Sequence, residues 1–132
     1  MATISKVWTS EATIYQTDAF QGSNSDIGST EVYSSTIDLE TNGYEGVQIT
    51  IKVDFPDNPT DDLEVYFYAS LDGTNWDNTA FYSITITNDT DPHQRSFIIK
   101  DFAYLKVGLK ASGTTDTIDV QVKYKAWRWQ SV

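Results

Sequence analysis

Cysteine is missing from all 132 residues of this chain. That excludes a disulfide framework, a thiolate nucleophile and a cysteine-ligated metal. It leaves the redox compartment open. Histidine occurs once, as His93. A Ser-His-Asp triad would have to use that imidazole, which follows Pro92 in an acidic loop. A surface or strand-edge histidine is the better reading. A zinc site would have one imidazole and no thiol to draw on. No apolar run approaches the roughly 18 residues that span a bilayer. Met1-Ala2-Thr3-Ile4-Ser5-Lys6 lacks the apolar core of a signal peptide. The chain is therefore expected to be made in a cytoplasm and to stay soluble. There is no glycine-rich phosphate loop, no internal repeat and no sustained helical period.

Positive charge is scarce too. Nine Lys and Arg stand against 19 Asp and Glu, a formal charge of −10. This argues against nucleic-acid binding by phosphate neutralisation and against an anionic membrane as partner. The charge is unevenly placed. Residues 1–94 hold only Lys6 and Lys52 against sixteen acids, a net of −14. Residues 95–132 hold seven basic residues and three acids, a net of +4. A chain polarised in this way can attract copies of itself or a charged platform.

Aromatics, by contrast, make up 14% of the chain, including Trp8, Trp76, Trp127 and Trp129. They bury enough area for one core without cross-links, and the length suits a single domain. Apolar and polar residues alternate with the period of strands. Val47, Ile49, Ile51, Val53 and Phe55 form the cleanest such set. Leu63 to Ser70, Phe81 to Thr87 and Arg95 to Lys100 follow. Ala103 to Ala111 and Ile118 to Ala126 are expected to close the chain as a hairpin. A further strand runs from about Thr30 to Leu39, and Val7 to Gln16 makes one strand or two. The expectation is all-β: a single antiparallel β-sandwich, Ig-like or jelly-roll, of about eight strands. Residues 1–29 would be an extended N-terminal arm and residues 30–132 the sandwich domain.

The most distinctive segment is Ser70-Leu71-Asp72-Gly73-Thr74-Asn75-Trp76. Asp-Gly supplies the positive-φ step of a tight turn, and Trp76 can fold back over it. Tyr66, Tyr68 and Trp76 are candidates for a ligand platform on which a sugar could stack. If the last two strands pair, Lys106, Lys110, Lys123 and Lys125 share one face. Opposed like charges are unfavourable in a sheet, so that face asks for an acidic neighbour or for solvent. With Trp127 and Trp129, these lysines are the candidate partner interface, because aromatics are enriched where subunits meet. Asp57, Asn58, Asp61 and Asp62 form one oxygen-rich loop, and Asn88, Asp89 and Asp91 another. Either could hold calcium, but turn chemistry explains such residues on its own. Paired carboxylates could hydrolyse glycosides, but spacing selects no pair. No cofactor is expected.

The Ser70–Trp76 segment follows Val65-Tyr66-Phe67-Tyr68 and precedes an aromatic strand. In this it resembles a hairpin of small β-sandwich virion proteins of tailed bacteriophages. The Tyr104-Leu105-Lys106-Val107 strand and the closing hairpin are similar to the same group, and the resemblance covers roughly residues 45–128. It implies a non-enzymatic virion structural protein, synthesised in the host cytoplasm: a decoration, head-fibre, neck or tail component. Its partners would be copies of itself and capsid or tail subunits. The arm, roughly Ala2 to Gly28, would order on a neighbouring subunit, and acidic body and basic hairpin would pair head-to-tail. The alternative is a carbohydrate-binding or adhesin-type module that takes a host glycan.

Overall fold

The computed structural model describes residues 3–131. They form two five-stranded antiparallel sheets packed face to face, a β-sandwich as expected. The first sheet holds β1 (Ile4–Trp8), β2 (Ala12–Gln16), β5 (Gly46–Asp54), β8 (His93–Lys100) and β10 (Asp119–Ser131). Its order is β1-β10-β5-β8, with β2 also on β10. The second holds β3 (Val32–Tyr33), β4 (Ile37–Asp38), β6 (Leu63–Ser70), β7 (Tyr82–Ile86) and β9 (Tyr104–Ala111). Its order is β3-β9-β6-β7, with β4 also on β9.

Alternation explains the core. Val47, Ile49, Ile51 and Val53 of β5 are fully buried. So are Leu63, Val65 and Phe67 of β6, Val107 and Leu109 of β9, and Val120 and Val122 of β10. Each such side chain contributes roughly 1.5–3 kcal/mol by leaving water.

Two expectations about pairing are corrected. First, β9 and β10 do not form a hairpin. Residues 112–118 carry the chain from one sheet to the other, so the two strands face each other across the core. Each has an apolar inner set, and crossing lets each set cover the other. Lys106 and Lys110 therefore lie on one outer surface of the sandwich, and Lys123 and Lys125 on the opposite one. The expected like-charge ladder is avoided. Lys110 stands opposite Glu64 and Lys106 opposite Tyr68; Lys123 stands opposite Thr50 and Lys125 opposite Gln48.

Second, the N-terminal segment is built into the first sheet. β5 pairs with β10 only as far as Trp127. β10 runs on past the end of β5, and β1 pairs with residues 127–131 of that extension. β2 pairs with residues 121–124. Ile14, Tyr15 and Ile27 are core residues. Residues 4–28 thus supply two edge strands and three core side chains, joined by an exposed loop, and are not a free arm. The first two residues of the expected arm, and Val132 of the expected domain, lie outside the described residues.

The expected strand 30–39 is interrupted. β3 and β4 both pair with β9, and Ser34 breaks the ladder between them. Its hydroxyl accepts the Val107 N–H at 2.9 Å, while its own N–H donates to the Val107 carbonyl at 2.8 Å. Among the described residues no helix is long and apolar enough to cross a membrane.

Candidate functional site on a lysine-rich sheet face

The register of the first sheet sets its outer surface. Gly46, Gln48, Thr50 and Lys52 of β5 stand opposite Lys100, Ile98, Ser96 and Gln94 of β8. On the other side they stand opposite Trp127, Lys125, Lys123 and Gln121 of β10. Lys6 and Trp8 of β1 extend the same surface beside Trp129 and Trp127. Lys6, Lys52, Lys100, Lys123 and Lys125 therefore share one face of a chain with net charge −10. Between them lie neutral groups, Gln48, Thr50, Gln94, Ser96 and Gln121 with the exposed Ile98, and the Thr50 and Ser96 hydroxyls pair at 2.8 Å. A shallow depression of about 490 Å³ lies over Gln48, Thr50, Lys52, Gln121, Lys123 and Lys125. Its one carboxylate is Glu11, 2.9 Å from the Lys123 ammonium. That ammonium holds the Glu11 carboxyl below the usual carboxylate range.

The two ends of this face differ. At one end Trp127 is 5% exposed and Trp8 40% exposed, with ring centroids 5.2 Å apart. The Lys6 ammonium lies 4.6 Å from the Trp127 centroid, 5.3 Å from Trp8 and 5.8 Å from Trp129. An ammonium over an indole face is attracted by the ring quadrupole. Trp129 is 56% exposed. The expected Trp127 contact is thus packed within the chain, and Trp8 and Trp129 carry the exposed edge. At the other end Asp54 faces Asp119. Asp119, Asp18 and Asp26 bring carboxylate oxygens within 4.8 Å of one another. Asp26 is pushed up to about 6, first by desolvation and then by Asp119 and Asp18. This cluster was not legible in the sequence, where Asp119 is far from the other two.

The opposite face, on the second sheet, holds the expected platform residues. Tyr68 and Trp76 do come together, around a lysine of this same chain. The Lys106 ammonium lies 4.2 Å from the Tyr33 centroid, 4.7 Å from Trp76 and 5.7 Å from Tyr68. Tyr68 donates to Glu31 at 2.6 Å; burial, then that carboxylate, raises its phenol above the usual range. Tyr66 donates to Glu64 at 2.9 Å, which also holds Lys110 at 3.6 Å. A sugar on Tyr68 and Trp76 would have to displace Lys106.

The turn that presents Trp76 is held by its own polar groups. The Ser70 hydroxyl donates to the Asn75 carbonyl at 2.7 Å and accepts the Gly73 N–H at 2.9 Å. Asp72 accepts the Thr74 and Asn75 N–H groups at 2.9 and 2.8 Å, and these hold its carboxyl well below the usual range. Gly73 supplies φ +79°. The loops considered for calcium use their acids in the same way. Asp116 accepts from Thr60 and Asp61 N–H groups. Asp61 accepts from Thr115 and Asp116, and Asp62 from Asn88. His93 Nε2 lies 3.3 Å from the Asp89 carboxylate, with its ring edge-on to Phe55.

No protein-family model matches the sequence, and no curated protein matches it. Solved structures that are similar include a chain matched over 96% of this chain and 89% of that chain, at 13% identity and a TM-score of 0.46. It comes from work described as "Bacillus endospore appendages form a novel family of disulfide-linked pili".

Proposed function

We propose that the protein is a non-enzymatic structural component of a virion, docking as an oligomer on capsid or tail subunits through its lysine face. The observation that carries the docking reading is the set of five lysines on one sheet surface of an acidic chain. The virion reading rests on the resemblance of the Ser70–Trp76 hairpin and its flanking strands to small phage β-sandwich proteins. An acidic surface would be steered to the lysines over about a Debye length and then held by contact with Trp8 and Trp129.

Co-sedimentation with separated phage heads and tails tests this reading. The wild type should bind one of them at low salt and be released at high salt. The double variant Lys52→Glu, Lys125→Glu should bind at least about tenfold more weakly while folding normally. Binding to neither particle would remove the reading. A second reading, a carbohydrate-binding module, is favoured by the exposed Trp8 and Trp129 on the same face as the polar depression, where a sugar would have to displace Lys6. It predicts a glycan-dependent quench of tryptophan fluorescence.

A further inference from the structure

β7 ends its sheet, hydrogen-bonded to β6 on one side only. Ser83 and Thr85 along it, and Thr87 just past its end, are exposed. Soluble proteins usually protect such an edge with charge, proline or a covering segment. Here the stretch from Asn78 to Asn88 holds no charged residue and no proline, although the chain carries 28 charged residues in 132. Beside the start of β7, an open groove of about 570 Å³ lies between β7 and β8, the edge strands of the two sheets. Phe81, Tyr82, Phe97, Ile98 and Phe102 line it, with Lys100 at its margin. Tyr82 is 51% and Ile98 61% exposed, and Phe81 stacks on Phe102 at 4.5 Å.

We propose that this edge pairs with the β7 edge of a second copy, antiparallel across a two-fold axis at Ile84. The edge itself selects the occupant: in a two-fold contact a strand meets its own sequence reversed, and one that carries no charge sets no like charges against one another. The strand is also self-complementary. An axis at Ile84 sets Tyr82 against the partner's Ile86 and Ser83 against the partner's Thr85. Aromatic with β-branched, and hydroxyl with hydroxyl, are favourable cross-strand pairs. All four residues keep their inward or outward direction. The second sheets of two copies merge into one continuous sheet, and the partner's body covers the groove. The proposal gives the oligomer assumed in the docking reading its interface, and rests on that reading only for the expectation that copies associate.

Sedimentation equilibrium of the full chain, over a concentration series, tests it with two charge variants. Neither Ser83 nor Thr85 makes a side-chain hydrogen bond in the monomer among the described residues, and both are exposed, so the fold should persist. The wild type should be a concentration-dependent dimer. Ser83→Lys/Thr85→Lys alone, and Ser83→Glu/Thr85→Glu alone, each place like charges opposite one another. Each should weaken the dimer about tenfold or more. Mixing the two variants should restore association as a heterodimer. A wild type that stays monomeric, or a dimer indifferent to both variants, overturns the proposal. The lysine variant keeps the docking face and should still co-sediment with the particle, more weakly for want of a second attachment, so loss of the dimer and loss of docking are read separately.

Discussion

Gly46 has no side chain, and the Trp127 ring occupies the space beside it. A Cβ there would run into that ring and crowd the Lys100 Cβ. Gly46→Ala should therefore cost about 1–3 kcal/mol by overpacking. It should also lift Trp127 toward water, seen as a red-shifted emission alongside the lowered denaturation midpoint. Asp26 shows a different residue-level effect. With its carboxyl at about 6 in the folded chain against an ordinary 3.8, the native state holds a proton that the unfolded chain has lost. Stability therefore falls as pH rises through that window, and the cost is complete above it. Asp26→Asn should stabilise the fold at about pH 7, change little at about pH 4, and flatten the slope between. Asp26 is solvent-exposed, which keeps the effect small. Urea titrations at the two pH values would show it. An unchanged slope would mean that neither desolvation nor Asp119 and Asp18 raise this carboxyl in the folded chain.

At the scale of elements, alternation located β5, β6, β9 and the start of β10 nearly to the residue, because each has one face in the core. It could not say which strands pair. An apolar stripe reports that a face is buried, not what buries it. Ala103–Ala111 and Ile118–Ala126 therefore read equally well as a hairpin or as strands facing across the core. The lysine face was half legible for the same reason. Lys123, Lys125 and Trp129 are visible as a set along one strand. Lys6, Lys52 and Lys100 join them only through the pairing of β1, β5 and β8. Trp76 was legible as a turn tryptophan, but its Lys106 neighbour depends on long-range register. The same pairing yields an element-level expectation. Residues 128–131 of β10 are paired by β1 alone. Their amides should exchange by local opening, well ahead of residues 121–124, which lie between β5 and β2. Hydrogen exchange that is uniform along β10 would contradict this.

At the scale of the whole molecule, the two proposed contacts should respond to salt in opposite directions. Docking through lysines is an attraction between unlike charges and should weaken as ionic strength rises. Pairing through an uncharged edge is opposed by the repulsion of two acidic bodies, so salt should strengthen it. Measuring both across one salt series separates them without mutation. The same sign of response in both would mean that one of the surfaces is misassigned.

β10 is the strand shared by β1, β2 and β5, and a ribosome makes it after every other strand of the two sheets. Until it emerges, β1 and β2 have no partner, and β5 lacks one of its two neighbours. The second sheet can assemble during synthesis; the first cannot. The contacts that complete the fold join the beginning of the chain to its end, which makes folding slow for its size. A chain cut just before β10 would keep every other strand of both sheets and still lack the middle of one of them.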